Sequence, residues 1–327
     1  MKRIFLLLAL LFSVLVLSSC SLFGIRIDEE HFPAPALRNA LYELDSNKNG
    51  YLSKKELEAP THLNVLDYCD DLSGIEYLTN LESINFLDGC SDLSGIEHLT
   101  NLKSLSFSDQ CPDLSSIECL TDLEEIAVHY CAFSEEFVFD KEVSVSKITF
   151  DGCVFEKGIV FDNDNVENVT FEDCGVSGDL IFADCDGLVS FDTYFDTDDL
   201  DFDKDYAYLK EQNYSIDLSG CDNLDYVSID SGLSLSSVDL GNCCMLRYVF
   251  ICDLYSNNEE ITLNICGSTS INHLNLLSTG FKVIDISDCP YLMAASEQTS
   301  SEDEYHIEYE SEDGYIYVAN AQCELIK

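Results

Sequence analysis

Apolar positions recur along this chain in a fixed phrase. "ITFDGC", "VTFEDC", "IDLSGC", "VDLGNC", "ITLNIC" and "IDISDC" end at Cys153, Cys174, Cys221, Cys243, Cys266 and Cys289. Each reads apolar-x-apolar-x-x-Cys: two alternating apolar side chains on one face of a short strand, then a small residue where the chain turns. Cys69, Cys90 and Cys111 keep the same beat earlier. A beat of 21–23 residues predicts coils that each make one circuit and stack on the next, since a single coil cannot bury its own apolar face.

That period and the phrase itself match the L-x-L-x-x-N/C core of the leucine-rich repeat. The predicted fold class is therefore a leucine-rich repeat solenoid, α/β shading to mostly β, of parallel stacked coils of 21–23 residues, with an N-terminal helix-loop-helix cap and a C-terminal β-hairpin cap. Early coils carry "DLSGIEYLTNLESINF", "DLSGIEHLTNLKSLSF" and "DLSSIECLTDLEEIAV", which predict a partly helical return. Later returns are extended: "YVSI" at Tyr226–Ile229 and "YVFI" at Tyr248–Ile251 interleave with the cysteine phrases. Phe86, Phe107, Phe150, Phe171 and Phe191 fall at the second apolar position and are expected to form an internal spine. The residues between the two apolar positions, Asn85, Ser106, Ala127, Thr149, Thr170, Ser190, Asp217, Asp239, Thr262 and Asp285, are expected to line one exposed column. That column is small and polar, a weak interface on its own, which shifts attention to the coil-edge tyrosines Tyr130, Tyr226 and Tyr248.

The pattern divides the chain into residues 1–19 as a signal segment, 20–31 as a linker, 32–60 as a cap, 61–290 as the solenoid and 291–327 as a terminal cap. An acidic insertion, 192–214, interrupts the solenoid, and the alternation in "YHIEYESEDGYIYV" predicts the closing hairpin. Lys2 and Arg3, an apolar run from Ile4 to Leu17 and then Leu17-Ser18-Ser19-Cys20 form a secretory signal. Its end resembles the lipobox of bacterial lipoproteins, which implies cleavage before Cys20 and lipid on its thiol. The expected location is the bacterial cell envelope, outside the cytoplasm, with the membrane engaged through that lipid alone.

Composition narrows the partners. With 16 basic residues against 62 acidic ones and a formal net charge of −46, nucleic acid is excluded, because its binding rests on basic patches. The chain has 16 cysteines; with Cys20 lipidated an odd number remains, and in-register cysteines on neighbouring coils meet disulfide geometry poorly. Most are expected to be free thiols.

One segment carries metal chemistry. "DSNKNGYLSKKE" places Asp45, Asn47, Asn49, Tyr51 (through its carbonyl), Ser53 and Glu56 at the positions 1, 3, 5, 7, 9 and 12 of an EF-hand calcium loop, with Gly50 at the sharp turn. "APALRNALYEL" precedes it as an amphipathic helix. Only Asp45 and Glu56 bring charge and no second loop is present, so the expectation is a weak, structural Ca2+ that rivets the N-terminal cap.

From Phe32 to Leu292, this order of helix, calcium-type loop and coils bearing "DLSGC" and "DISDC" resembles the bacterial surface leucine-rich repeat proteins of the BspA-like and internalin-like kind. The resemblance implies a curved solenoid used for adhesin-like attachment to an extracellular protein or glycan, without catalysis. The rival is a calcium-dependent polysaccharide lyase on a stacked-coil scaffold, for which Arg247 and Lys282 are the candidate bases.

Overall fold

The computed structural model describes residues 24–112, 114–139, 143–182, 184–194, 213–230, 234–252, 260–278, 280–297, 301–302, 306–312, 314–320 and 322–327. Cys20 and most of the acidic insertion, residues 195–212, lie outside them; Asp192–Tyr194 and Asn213–Tyr214 at its two ends belong to strands. The described residues fall into two compact units, one up to Leu123 and one from Glu124. Among the described residues no helix is long and apolar enough to cross a membrane.

In the first unit, helix α1 (Pro35–Leu44) and the short α2 (Lys54–Glu58) flank the acidic loop. Three parallel strands follow, His62–Val65, Ser83–Phe86 and Ser104–Ser108, with Leu63, Ile84 and Leu105 in one inward row and Val65, Phe86 and Phe107 in the next. Phe86 and Phe107 stack at 5.5 Å. The returns are single 3-10 turns, Ile75–Tyr77 and Ile96–His98. Their recurring "DLSGIE" is explained by its bonds: Asp71 and Asp92 each accept from the backbone N–H two residues on, and Glu76 and Glu97 accept from Gly74 and Gly95. Asn80 and Asn101 then donate to Glu58 and Thr79 carbonyls one coil back, both at 2.8 Å, tying each coil to its predecessor. Gly74 is left-handed at φ 97°, and a Cβ there would lie 2.3 Å from the Phe32 ring. Only glycine lets the cap's buried Phe32 close over the first coil.

The second unit has a front sheet of parallel strands: Glu125–His129, Lys147–Asp151, Asn168–Glu172, Ser190–Tyr194, Tyr226–Asp230, Tyr248–Cys252, His273–Leu277 and Tyr315–Val318. Ile307–Glu310 pairs antiparallel with the last of these, completing the hairpin that the alternation predicts. A parallel back sheet runs Phe137–Phe139, Ile159–Phe161, Leu180–Ile181, Asn213–Asp217, Ser234–Asp239 and Thr262–Asn264. The core lies between the two, with Phe150, Phe155, Phe161, Phe171, Phe182 and Phe191 buried in it.

Two expectations are corrected here. Phe191 pairs with Val169, while Phe171 pairs with Thr193, so Phe191 sits at the first inward position and joins the spine from there, 5.9 Å from Phe171. The predicted column also splits. Asn85, Ser106, Ala127, Thr149 and Thr170 are on front sheets, but Ser190 is one row off, and Asp217, Asp239 and Thr262 lie on the back sheet. Asp285 lies on Val283–Asp285, which pairs with Glu324–Ile326. The front column continues instead through Asp192, Ser228, Phe250, Asn275 and Tyr317. The cause is that the cysteine phrase is used by both sheets: "LIFADC" to Cys185 is already on the back sheet, and the phrases ending at Cys221, Cys243 and Cys266 follow it there.

None of the fifteen described cysteines is in a disulfide. Several thiols bond the preceding coil: Cys153 donates to Val128 O at 3.3 Å, Cys221 to Phe182 O at 3.0 Å and Cys243 to Leu218 O at 3.1 Å. Burial pushes Cys243 and Cys289 up to about 12. They therefore keep the proton that they donate.

Candidate functional site

The loop between α1 and α2 is built around two carboxylates. Asp45 accepts from the backbone N–H of Asn49 at 3.2 Å and of Gly50 at 2.7 Å; Gly50 has φ 78° and Lys48 φ 56°, which fold the loop back over that carboxylate. Glu56 accepts through Oε1 from Ser46 N (3.0 Å), Ser46 Oγ (2.6 Å) and Asn47 Nδ2 (3.3 Å), and through Oε2 from Ser53 N (3.0 Å) and Ser53 Oγ (2.7 Å). Ser53 and Glu56 thereby form the capping box that starts α2. The Ser46 and Ser53 hydroxyls hold Glu56 down to about 2, so it is ionised across the physiological range.

Of the six sequence-predicted positions, the structure brings the Asn47 and Ser53 side chains to Glu56 and the Asn49 N–H to Asp45. Asn49 Oδ1 takes the Tyr51 N–H at 2.8 Å, and Leu52 is fully buried. Among the described residues the only buried carboxylates are Asp45 and Glu56, and neither has an ion pair. Two buried anions on one tight loop with no basic side chain paired to them could hold a hard divalent ion in exchange for the N–H and O–H groups they now accept from. The sequence reading missed the loop's other partner: Ile25–Arg26 pairs antiparallel with Tyr51–Leu52, and Ile27 N donates to Gly50 O at 3.0 Å. Its signal, apolar Ile25 and Ile27 around Arg26, is too short to stand out.

A second constellation lies on the front sheet of the 124–327 unit. Tyr226, Tyr248, His273 and Tyr315 stand in register on adjacent strands, and Glu310 of the hairpin ends the row. The next outward-facing row, half-buried, runs Ser228, Phe250, Asn275, Tyr317 and Glu308. Strand spacing of about 4.8 Å sets the aromatic rings nearly in contact: Tyr248 and His273 are 5.0 Å apart, His273 and Tyr315 6.2 Å. Tyr226 and Tyr248, on neighbouring strands, are 40% and 38% exposed. Tyr130, grouped with them on sequence, turns out in a left-handed turn after the strand Glu125–His129, well away from this row.

Three of the four row side chains have a holding contact. His273 Nδ1 is 2.9 Å from Asn272 Oδ1, and the Tyr315 hydroxyl donates to Glu308 at 3.3 Å. Burial and then the Glu308 carboxylate push the Tyr315 phenol up, so it keeps that proton. Arg247 forms a two-pronged pair with Asp225 and sets its guanidinium 5.5 Å from the Tyr248 ring centre. The Asp225 contact raises its pKa and holds it protonated, the wrong state for a proton-abstracting base. Lys282, the other candidate base, precedes Val283–Asp285, a strand outside the front sheet.

Where the row meets the hairpin, an open cleft of about 640 Å³ is lined by Asn272, His273, Tyr291, Glu310, Glu312 and Tyr315. Tyr291 comes from α3 (Pro290–Ser296), and the hairpin fits over it because a Cβ at Gly314 would lie 2.4 Å from the Tyr291 carbonyl. Among the described residues Glu310 and Glu312 have no ion-pair partner. His273, Phe250, Tyr315 and Tyr317 were not singled out on sequence; the recurring strand starts "YVSI", "YVFI", "HLNL" and "YIYV" carry the signal once the strands are aligned.

No protein-family model matches the chain, and no curated protein matches it. Among solved structures, an internalin C2 of Listeria monocytogenes aligns at 14% identity and TM-score 0.34 over 80% of this chain and 88% of its own. An internalin (InlF) of the same organism aligns at 14% identity and TM-score 0.34 over 76% and 97%. The functional domain of L. monocytogenes InlJ, described as including a cysteine ladder, aligns at 14% identity and TM-score 0.34 over 82% and 70%.

Proposed function

We propose that the chain is a non-catalytic binding protein of the bacterial cell surface, anchored by lipid on Cys20, that holds a macromolecular partner on its exposed sheet. The observation that carries this is the in-register aromatic row Tyr226, Tyr248, His273 and Tyr315 on rigid strands. Exposed rings on a fixed scaffold offer large contact area at little entropic cost, and tyrosine is enriched where binding energy concentrates. Calcium enters as a structural ion: Asp45, Asn47, Asn49, the Tyr51 carbonyl, Ser53 and Glu56 would hold it. With two charged ligands its Kd belongs to the roughly 10⁻⁴–10⁻³ M class of extracellular modules. The ion would neutralise two buried carboxylates.

The test is a screen of the purified chain against matrix proteins, mucins and polysaccharides, with and without calcium, while each polysaccharide is assayed for cleavage. Saturable binding that falls in Tyr248→Ala supports the reading. Turnover of a glycan would replace it with the lyase reading.

A further inference from the structure

We propose that the C-terminal end of the front sheet takes a basic peptide segment of a protein partner, its lysine or arginine side chains laid on the row Tyr226, Tyr248, His273 and Tyr315 and its leading cation in the cleft with Glu310 and Glu312. This rests on the binding reading above and names the chemistry of the partner.

Three observations point the same way. First, the row already carries one cation. Arg247 sits 5.5 Å from the Tyr248 ring centre while its charge is answered by Asp225, so ring and carboxylate together accept a guanidinium here. Second, the same pairing is repeated without a cation at the hairpin end. Tyr315 and Tyr291 face a cleft with Glu310 and Glu312, which have no basic partner among the described residues. Third, the chain has 62 acidic and 16 basic residues, so its field draws cations and repels anionic partners.

A neutral glycan could stack on the rings, but it would cover the two carboxylates without answering their charge, and desolvating an unpaired carboxylate is costly. A lysine or arginine answers it and gains cation–π attraction as well. The spacing also suits an extended peptide. Three strand steps of about 4.8 Å make the row about 14 Å long, room for about three alternate side chains at twice the 3.3 Å rise of an extended chain.

The experiment titrates the purified chain into a fluorescein-labelled peptide, Gly-Lys-Gly-Lys-Gly-Lys-Gly, with its glutamate counterpart and a neutral hexasaccharide (cellohexaose) as competitors. Saturable binding of the lysine peptide is expected, with the Kd raised about tenfold in Glu310→Gln/Glu312→Gln and about fivefold in Tyr248→Ala. The charge-matched pair Glu43→Gln/Asp122→Asn, exposed in the first unit, should leave it unchanged. His273→Asn serves as the second ring variant should Tyr248→Ala fail to fold. Equal losses in the two charge pairs would mean diffuse attraction to an acidic protein and overturn the proposal. Displacement by cellohexaose, with the oligosaccharide sensitive to Tyr248→Ala, would make the occupant a glycan: the proposal fails and the binding reading stands. No binding of peptide or sugar, together with no hit in the partner screen, would remove both.

Discussion

Glu56 is the residue on which the N-terminal loop turns. It accepts five hydrogen bonds from Ser46, Asn47 and Ser53, closing the loop and starting the following helix at once. Because folding lowers its pKa from 4.5 to about 2, its contribution to stability is fully present above pH 4.5 and is lost as pH falls toward 2. A pH series of melting temperatures should show a decline as pH falls through that window, and Glu56→Gln should reduce it; Asp28, Asp92, Asp225 and Asp285, also held low by the groups that donate to them, supply the rest. The same substitution should remove calcium stabilisation, about 2.7 kcal/mol when the ion is at a hundred times its Kd, so that the variant melts in calcium as chelated wild type does. An unchanged response to calcium would end the metal assignment. At this scale the tight turn was legible, because the Asp45 carboxylate and the left-handed Gly50 each meet one local requirement. The Ser46 hydroxyl was not, since nothing in the calcium pattern asks for an oxygen at its position.

Whole elements were read less evenly. The coil period and the strands of the cysteine phrases follow from two-residue alternation and were visible, but the short Ile25–Arg26 and the back strands Phe137–Phe139 and Ile159–Phe161 were not. Which sheet a strand joins was not, because "TFEDC" on the front and "IFADC" on the back bury the same kinds of residue and turn the same way. The exposed face was therefore assigned wrongly from Ser190 onward, and the aromatic row was hidden behind a supposed acidic column. The cap's seat was also unreadable: that Gly74 must be glycine depends on Phe32 lying 42 positions earlier. Gly74→Ala should destabilise the cap by about 1–3 kcal/mol, from backbone strain and displacement of Phe32 together. Hydrogen exchange in α1 should report it, with amides there losing protection first. Gly95→Ala is the comparison, because a Cβ at Gly95 finds no atom closer than 3.7 Å and meets the backbone penalty alone.

For the molecule as a whole, the cysteine column behaves as packing that also donates hydrogen bonds, and this makes a countable forecast. Alkylation without reductant should label Cys119 and Cys244 quickly in the native state, Cys266 more slowly because its thiol donates to Asp288, and the buried thiols such as Cys221, Cys243 and Cys289 only after denaturation. A mature chain carrying all fifteen labels after unfolding fits the described thiols; two or more missing would mean disulfides form. Cys20→Ala should shift the protein from the membrane fraction to the soluble fraction, and its persistence on membranes would refute lipid attachment.

The pairing of Ile25–Arg26 with Tyr51–Leu52 has a mechanical meaning. Any pull arriving along the chain from upstream of Ile25 reaches the fold at these two residue pairs, and just beyond them at the Gly50 carbonyl that Ile27 holds. The loop thus sits directly in the load path. On the proposed reading of a calcium-loaded loop and a lipid tether, the ion would act as a clasp: millimolar calcium would raise the force at which the cap peels away, so that resistance to pulling would follow the ionic composition of the surrounding fluid.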